Sequence, residues 1–185
     1  MGRVTTSLRG QLLVAGPALV DPNFRRTVVL IGEHGDEGAM GVVLNRASET
    51  LVEDAVPPMA TLTAPDELVY LGGPVQPEAV VVLADFADVE QAEVAVVDSI
   101  GFLPGEIEDT SAVGELRGVR VFAGYAGWGP GQLEDEVEEG AWIVLTARSS
   151  DVFTAAPERL WRDVLRREGG ALATLALLPD DPRVN

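Results

Sequence analysis

The chain has 185 residues, of which 30 are acidic and 13 are basic, so its formal net charge is −17 at pH 7. This charge argues against a general affinity for nucleic acid, which depends on basic side chains that neutralise phosphates. Cysteine is absent, which excludes disulfides and thiolate metal sites and fits a reducing cytoplasm. No apolar run is long enough to span a membrane, and the first ten residues hold no apolar signal region. We therefore expect one domain over residues 1–185, located in the cytoplasm and not in a membrane.

Short apolar runs bounded by glycine, proline and acidic residues predict strands along the whole chain. Most of these runs are continuous rather than alternating, which indicates strands covered on both faces. Irregular or partly helical connections are expected over residues 47–66 and 101–115. The predicted strands are 28–31, 42–44, 68–71, 80–83, 93–97, 119–122 and 142–145.

Two helices are predicted in the second half of the chain. The first opens at Pro130 or Gly131, carries acidic residues in its first turns and ends at Gly140. The second covers residues 157–168 and ends at a pair of glycines. Its apolar side chains recur at helical spacing and predict one buried face, made of Leu160, Trp161, Val164 and Leu165.

The segment 124–134 combines four glycines with Tyr125 and Trp128 and runs directly into the first predicted helix. A glycine loop before a helix invites a phosphate, but the acidic residues at 134–136 would repel one. The spacing also matches neither a P-loop nor a dinucleotide fingerprint. The alternative is a tightly packed sheet corner, in which Trp128 is buried and Gly127 needs a positive φ or close backbone contact.

Several segments together resemble the AlgH/YqgE family, a group of small bacterial proteins of uncharacterised function. The matching segments are 21–30, 34–46, 72–77, 124–134 and 181–185. The resemblance implies an α+β fold with a strongly bent, bifurcated sheet. Its strands would be mostly antiparallel or mixed, would form a pseudo-barrel, and would be flanked by helices. The family is often labelled a transcriptional regulator, after an alginate-regulation phenotype.

Polar residues within the first two matching segments are candidates for binding. Asp21 caps a turn through its carboxylate. Arg26 directly precedes a buried strand, where it could pair with a buried carboxylate or hold an anionic ligand. Asn45 and Arg46, which close the next strand, pose the same choice.

His34 is the only histidine in the chain. It could act as a general base or bind a metal. No second histidine at metal-ligand spacing and no Gly-x-Ser-x-Gly nucleophile motif accompanies it. The alternative is a structural histidine whose ring nitrogens bond the backbone of the turn that follows.

Gly72 and Gly73 follow a predicted strand and bring bare backbone close to a neighbour. One interpretation is a pocket wall to which Gln76 contributes a polar group, and the other is a β-bulge at a barrel corner. We expect the motif segments to meet at one ligand-binding pocket. The candidate residues are Asp21, Arg26, His34, Asn45, Gly72, Gly73, Gln76, Tyr125, Trp128 and Gln132.

These observations favour a non-catalytic module that binds a small molecule or a partner protein and regulates indirectly. No catalytic or metal-binding residue is assigned, and no cofactor is identified. A first alternative is a regulator that contacts DNA directly through the arginines of the helix at 157–168. Acidic residues are interspersed there, however, so a solvated face is the better interpretation. A second alternative is a hydrolase that uses His34 with Asp21 or Asp36.

Overall fold

The computed structural model describes residues 6–103, 110 and 113–180. This part of the chain contains ten strands, five α-helices and three short 3-10 helices. The strands are β1 (Gln11–Ala15), β2 (Val28–Gly35), β3 (Gly38–Val43), β4 (Ala47–Leu51), β5 (Leu68–Leu71), β6 (Val75–Phe86), β7 (Val94–Val97), β8 (Ile100–Phe102), β9 (Leu116–Trp128) and β10 (Trp142–Thr146). The α-helices are α1 (Val52–Ala55), α2 (Gln132–Glu138), α3 (Ser149–Val152), α4 (Leu160–Glu168) and α5 (Gly170–Leu175), and the 3-10 helices are Pro57–Thr61, Val89–Gln91 and Pro157–Arg159.

The ten strands form one mostly antiparallel sheet that does not close. Its order is β10-β1-β2-β3-β9-β6-β8-β7, with β5 attached to β9 and β4 to β5. The pairing of β5 with β9 is parallel. The turn before β1 lies close to β7, where the Arg9 guanidinium donates to the Ala95 carbonyl. Strands β1 and β7 do not pair with each other. The predicted α+β class and pseudo-barrel sheet are confirmed, with this seam left open.

Strand β9 is the fork of the sheet. Its first part pairs with β6, while Phe122 and Ala123 also pair with β5 and residues 126–128 pair with β3. The strand bends at Gly124, whose φ is +72°. A Cβ there would lie 2.5 Å from the Gly73 carbonyl oxygen, so the bend requires glycine. Because the strand bends at this glycine, β9 pairs with three other strands, β3, β5 and β6.

Strands β1 and β2 are buried on both faces, as their continuous apolar sequences predict. Leu12 and Leu30 point into one hydrophobic cluster, which the apolar face of α4 covers. Leu13 and Val29 point into a second cluster, which contains Trp128, Trp142 and Leu133 of α2. The two clusters lie on opposite sides of the same strands.

The structure confirms all seven predicted strands and both helices, but β6 and β9 extend well beyond the predicted ranges, and β9 continues through the predicted glycine loop to Trp128. It also contains elements that the sequence did not predict, namely β1, β8, α3, α5 and the 3-10 helix Val89–Gln91. Residues 47–66, predicted to be irregular or partly helical, form β4, α1 and a 3-10 helix. The matching segment 181–185 and most of the connection predicted at 101–115 lie outside the described residues. In the described part, no helix has the length and apolar character that crossing a membrane requires.

Trp128 is buried as expected, with 7% of its surface exposed. The expectation for Gly127 is wrong. Its φ is not positive, and a Cβ there would make only ordinary contacts, at 3.6 Å from Val75 and 3.9 Å from Tyr125. Its neighbour Gly124 carries the constraint instead.

Candidate functional site

Residues 21–27 form a tight turn that leads into β2. Asp21 accepts the Asn23 N–H through its carboxylate at 2.8 Å, and its carbonyl accepts the N–H groups of Phe24 and Arg25. The buried Thr27 hydroxyl donates to the Phe24 carbonyl at 2.7 Å. The predicted capping role of Asp21 is therefore what the geometry shows. The turn fixes where the side chains of Arg25 and Arg26 leave the backbone.

Arg26 has a φ of +54°, which is strained for a residue with a side chain. Asn45 supports this conformation from the end of β3. Its amide nitrogen donates to the Arg26 carbonyl and its amide oxygen accepts the Val28 N–H, both at 2.9 Å. Asn45 is thus a positioning residue for Arg26. Strain that is held by neighbouring groups is typical of functional sites.

The Arg26 guanidinium stacks on Trp161 of α4, 4.4 Å from the ring centroid. It also donates to the carboxylate of Asp180 at 2.8 Å and to the carbonyls of Leu178 and Pro179. Its partner is an exposed carboxylate at the end of the described chain, not the buried one that the sequence suggested. Arg162 contacts the same Asp180 oxygen at 3.0 Å.

Two adjoining clefts open beside this arginine. One, of about 250 Å³, has largely apolar walls, and the other, of about 430 Å³, is more polar. They share Val20, Arg25 and Arg26. We call the two together the arginine cleft. It is lined by Gly16, Pro17, Leu19, Val20, Pro22, Arg25, Arg26, Arg46, Trp161, Leu178, Pro179 and Asp180.

The arginine cleft has an excess of positive charge among the described residues. Arg46 donates to the carbonyls of Asn23 and Arg25, which hold its position without cancelling its charge. Burial lowers the pKa of Arg26, and the positive charges of Arg162 and Arg25 lower it further, while Asp180 raises it. Burial likewise lowers the pKa of Arg46, against the opposing effect of Asp21. Arginine remains charged at neutral pH, so the cleft favours an anion.

His34 lies elsewhere, between the N-terminal segment and α2. Its Nδ1 accepts the Leu8 N–H at 2.8 Å, so Nε2 carries the proton that is donated to Glu134 at 2.7 Å. The side chain is 3% exposed. The expected bonds to the following turn are not what the structure shows, but both ring nitrogens are engaged within the protein.

Trp128 and Gln132 belong to an aromatic cluster around Glu136. The Glu136 carboxylate accepts the indole N–H groups of Trp128 and Trp142 and the side-chain amide of Gln132, each at 2.9 Å. Phe24 packs edge-on against Trp142, with centroids 5.6 Å apart. Gln132 also accepts the Gly129 N–H at 3.0 Å. These contacts satisfy the polar groups that we expected to face a ligand.

Gly72, Gly73, Gln76 and Tyr125 lie at the fork of the sheet. A Cβ on Gly72 would meet the Gly124 carbonyl oxygen at 2.3 Å, and one on Gly73 would meet the Tyr125 backbone at 2.2 Å. Gln76 is exposed at a φ of +44°, where the pairing of β6 with β9 shifts register. Of the two interpretations of this segment, a pocket wall or a β-bulge, the geometry matches the β-bulge. The backbone approaches another strand rather than a ligand.

The ten candidate residues fall into three groups around β9. Two of them, His34 and Trp128, also line an open cleft of about 440 Å³ together with residues 33–40. Arg26 lines the arginine cleft, and Asp21 and Asn45 hold the turn that carries it. Gly72, Gly73, Gln76 and Tyr125 lie at the fork of the sheet. His34, Trp128 and Gln132 hold α2. A further cleft of about 300 Å³ is lined by residues of β2, β3, β6, β7 and β8. Glu33 and Glu93 lie there among apolar side chains, and none of the ten residues lines it.

The sequence profile of the AlgH-like family matches residues 12–173. The chain belongs to the AlgH-like family. It is 47% identical to UPF0301 proteins of Streptomyces avermitilis and Streptomyces coelicolor, over 97% of this chain and 96% of each relative. A crystal structure of a Corynebacterium diphtheriae protein superimposes with a TM-score of 0.82 at 31% identity, covering 96% of this chain and 95% of that one. The solution structure of AlgH from Pseudomonas aeruginosa gives 0.69 at 27% identity, covering 98% and 100%.

The arginines of α4 in this AlgH-like chain all contact carboxylates. The Asp163 carboxylate lies 4.0 and 3.8 Å from the guanidinium groups of Arg159 and Arg166, as exposed ion pairs, and Arg162 contacts Asp180. Arg167 forms a two-pronged pair with the buried Asp151, at 2.7 and 3.1 Å. The basic face that suggested DNA binding is thus largely engaged within the protein.

Sequence reasoning missed several charged residues that the fold buries or clusters. Arg120 of β9 is only 8% exposed, contacts Glu67 at 3.3 Å and stacks over Tyr70 at 4.3 Å. Burial raises the pKa of Tyr70, against the effect of Arg120. Asp180 was also missed as the carboxylate on Arg26. An arginine inside a strongly apolar strand was the available signal for Arg120, while no local pattern identified Asp180.

Proposed function

We propose that this protein is a cytoplasmic, non-catalytic binding module of one domain, and that its site is the arginine cleft. The observation that carries the proposal is the gathering of Arg25, Arg26 and Arg46 around an apolar cleft, on a chain of net charge −17. Guanidinium groups beside apolar walls suit an anionic small molecule or an acidic segment of a partner protein. Any regulatory effect is then indirect, through that ligand or partner.

The contacts of His34 weigh against the hydrolase alternative. One ring nitrogen accepts a backbone N–H, the other donates to Glu134, and the ring is buried. A general base needs a free nitrogen within reach of its substrate. The Asp21 carboxylate lies at a turn, where it accepts a backbone N–H. The paired arginines of α4 weigh in the same way against direct contact with DNA.

A thermal-shift screen of acidic metabolites and acidic peptides tests the proposal. Ligands that bind the folded state raise the melting temperature, and at about 100-fold excess over Kd the stabilisation is about 2.7 kcal/mol. We expect a ligand of the site to stabilise the wild type but not Arg25→Glu, since Arg25 is an exposed side chain of the cleft. Arg159→Glu is the matched control, because it makes the same charge change outside the cleft.

Two results would contradict the proposal. One is equal stabilisation of the wild type and both variants, which would place the ligand elsewhere on the molecule. The other is a panel in which no anionic compound or acidic peptide raises the melting temperature of the wild type.

A further inference from the structure

We propose that the arginine cleft takes a small carboxylate with a short apolar chain, and that Asp180 is an internal competitor for the carboxylate position. This assignment rests on the proposed function, to which it adds the chemical class of the ligand and a control on its binding. It follows from what the arginines already contact within the chain.

The first observation is the convergence of two guanidinium groups on one oxygen. Arg26 donates to Asp180 Oδ1 at 2.8 Å, and Arg162 approaches the same atom at 3.0 Å. These arginines come from the turn before β2 and from α4, so only the folded chain brings them together. Two cations on one carboxylate oxygen define a carboxylate position, and a ligand carboxylate would make the same contacts.

The second observation is that Asp180 is weakly held. Its side chain is 77% exposed, so water screens both ion pairs. The preceding residues are also exposed, with Leu177 at 72% and Leu178 at 41%. The remaining polar anchors of this segment are hydrogen bonds from arginines to the carbonyls of Ala176, Leu178, Pro179 and Asp180. A ligand can therefore replace the Asp180 carboxylate without unfolding a packed element.

The third observation is the apolar half of the cleft, next to the carboxylate position. Leu19, Val20 and Trp161 line it together with Leu178. Val20 is 72% exposed and Leu178 is 41% exposed, so an apolar ligand in this part of the cleft would remove surface of both side chains from water. The volume of about 250 Å³ corresponds to about eight water-sized groups. A short hydrocarbon chain fits this space.

Internal competition predicts the effect of removing the Asp180 charge. Asp180→Asn leaves a side chain of the same shape that no longer neutralises Arg26 and Arg162. A ligand carboxylate then meets two guanidinium groups that have lost their carboxylate partner and keep only backbone carbonyls as acceptors. Its affinity should rise about three- to tenfold, which matches the loss of one or two exposed ion pairs. Asp163→Asn is the matched control, since Asp163 contacts arginines of the same helix region outside the cleft.

The experiment is an NMR titration with hexanoate, followed by the three tryptophan indole N–H signals. Trp161→Phe identifies the Trp161 signal, whose N–H donates to the Ala15 carbonyl at 2.9 Å. Hexylammonium and hexanol carry the same chain without the negative charge. We expect hexanoate alone to shift the Trp161 signal saturably, with a lower Kd for Asp180→Asn and an unchanged Kd for Asp163→Asn.

Each other outcome removes a defined part of the assignment. Equal hexanoate affinity in the wild type and Asp180→Asn would overturn the competitor role while leaving the binding site in place. Equal binding of hexanol and hexylammonium would overturn the carboxylate class. Hexanoate that moves no indole signal in either protein would also overturn it. The proposed function would then stand or fall separately, on the thermal-shift screen and its Arg25→Glu comparison.

Discussion

Gly124 and Gly127 lie three residues apart in β9, and the structure gives them opposite requirements. At Gly124 the φ of +72° and the Gly73 carbonyl oxygen, 2.5 Å from a Cβ, both exclude a side chain. At Gly127 the backbone φ is not positive, and an added Cβ would make only ordinary contacts. Gly124→Ala should therefore lower the free energy of unfolding by at least about 1–2 kcal/mol. Gly127→Ala should change it by less than about 0.5 kcal/mol. Urea unfolding of both variants measures the difference.

Equal destabilisation by Gly124→Ala and Gly127→Ala would show that β9 does not bend at Gly124 as described.

The two glycines also show what could and could not be predicted from the sequence. A cluster of glycines predicts a tight corner, because few other reasons justify so much backbone freedom. Which glycine carries the positive φ depends on the backbone that packs against it, which at Gly124 is the Gly73 carbonyl. Gly73 is distant in sequence, so the residue-level assignment to Gly127 failed.

Candidate site residues show the same division. Arg26 was identifiable from its place before a buried strand, and Asn45 from its place at the end of the next one. Their link, a side-chain amide that holds the backbone of a strained arginine, requires the pairing of β2 with β3. Asp180 could not be linked to Arg26, because the contact spans 154 residues and the carboxylate lies in no recognisable pattern.

At the scale of elements, α2 is held to the sheet by two carboxylates that lie two residues apart, Glu134 and Glu136. Glu134 binds His34 of β2, and Glu136 binds the indole groups of β9 and β10. The sequence predicted this helix from its flanking glycines and acidic first turns. It assigned those acids to the helix dipole and missed their side-chain partners, which are fixed only when the strands assemble. The helix end that looked like an anion site is thus filled from within.

The Glu134 contact predicts a pH dependence of stability. The backbone N–H of Glu134 lowers its pKa below 4.5, and the hydrogen bond from His34 lowers it further, against burial. Because the folded pKa is lower, the ionised carboxylate stabilises the fold above about pH 4.5, and this contribution is lost as the pH falls through the folded pKa. Wild type should therefore be more stable than Glu134→Gln at neutral pH, with the difference shrinking in acid. Urea unfolding from about pH 7 to about pH 3 measures it.

Asp135→Asn is the control for this series, because Asp135 is the neighbouring exposed acid on the same helix. It removes one negative charge without removing the bond to His34. A stability difference between wild type and Glu134→Gln that stays constant or grows toward acid pH would show that the carboxylate contributes nothing through this contact.

Element types were predicted better than element partners, for a physical reason. Continuous apolar runs and helical spacing are local signals that identified β2, β5, β10 and α4, while flanking glycines and acidic first turns identified α2. Strand β4 was missed because its sequence is largely polar and half of its surface faces solvent. Strand β1 was missed although it carries the same kind of apolar run as its neighbours. The fork at β9 was implied by the family resemblance and depends on long-range pairing.

At the scale of the whole molecule, the arginines are concentrated while the acids are spread. No basic residue occurs between Arg46 and Arg117, so strands β4 to β8 carry no positive charge. The field around the protein therefore repels polyanions at a distance. A small anion can still enter the arginine cleft, since short-range contacts with guanidinium groups outweigh a screened, distant field. Size thus separates the ligands that this charge pattern admits from those that it excludes.

The last prediction concerns duplex DNA, which the family label suggests as a partner. The four arginines of residues 157–168 all contact carboxylates of the chain. The nearby carboxylates Asp163 and Asp151 reduce the positive charge that this face offers to phosphates, and the net charge of the chain opposes binding further. We therefore expect no sub-micromolar binding to random or promoter duplex at ~0.15 M salt. A fluorescence titration with labelled duplex measures this binding, with an Arg162→Glu, Arg166→Glu variant as the comparison.

Sub-micromolar binding that weakens steeply with salt and vanishes in that variant would establish a direct DNA contact at α4. Weak binding that the variant leaves unchanged would mean only that α4 is not involved. The expected result leaves regulation to a ligand or partner at the arginine cleft.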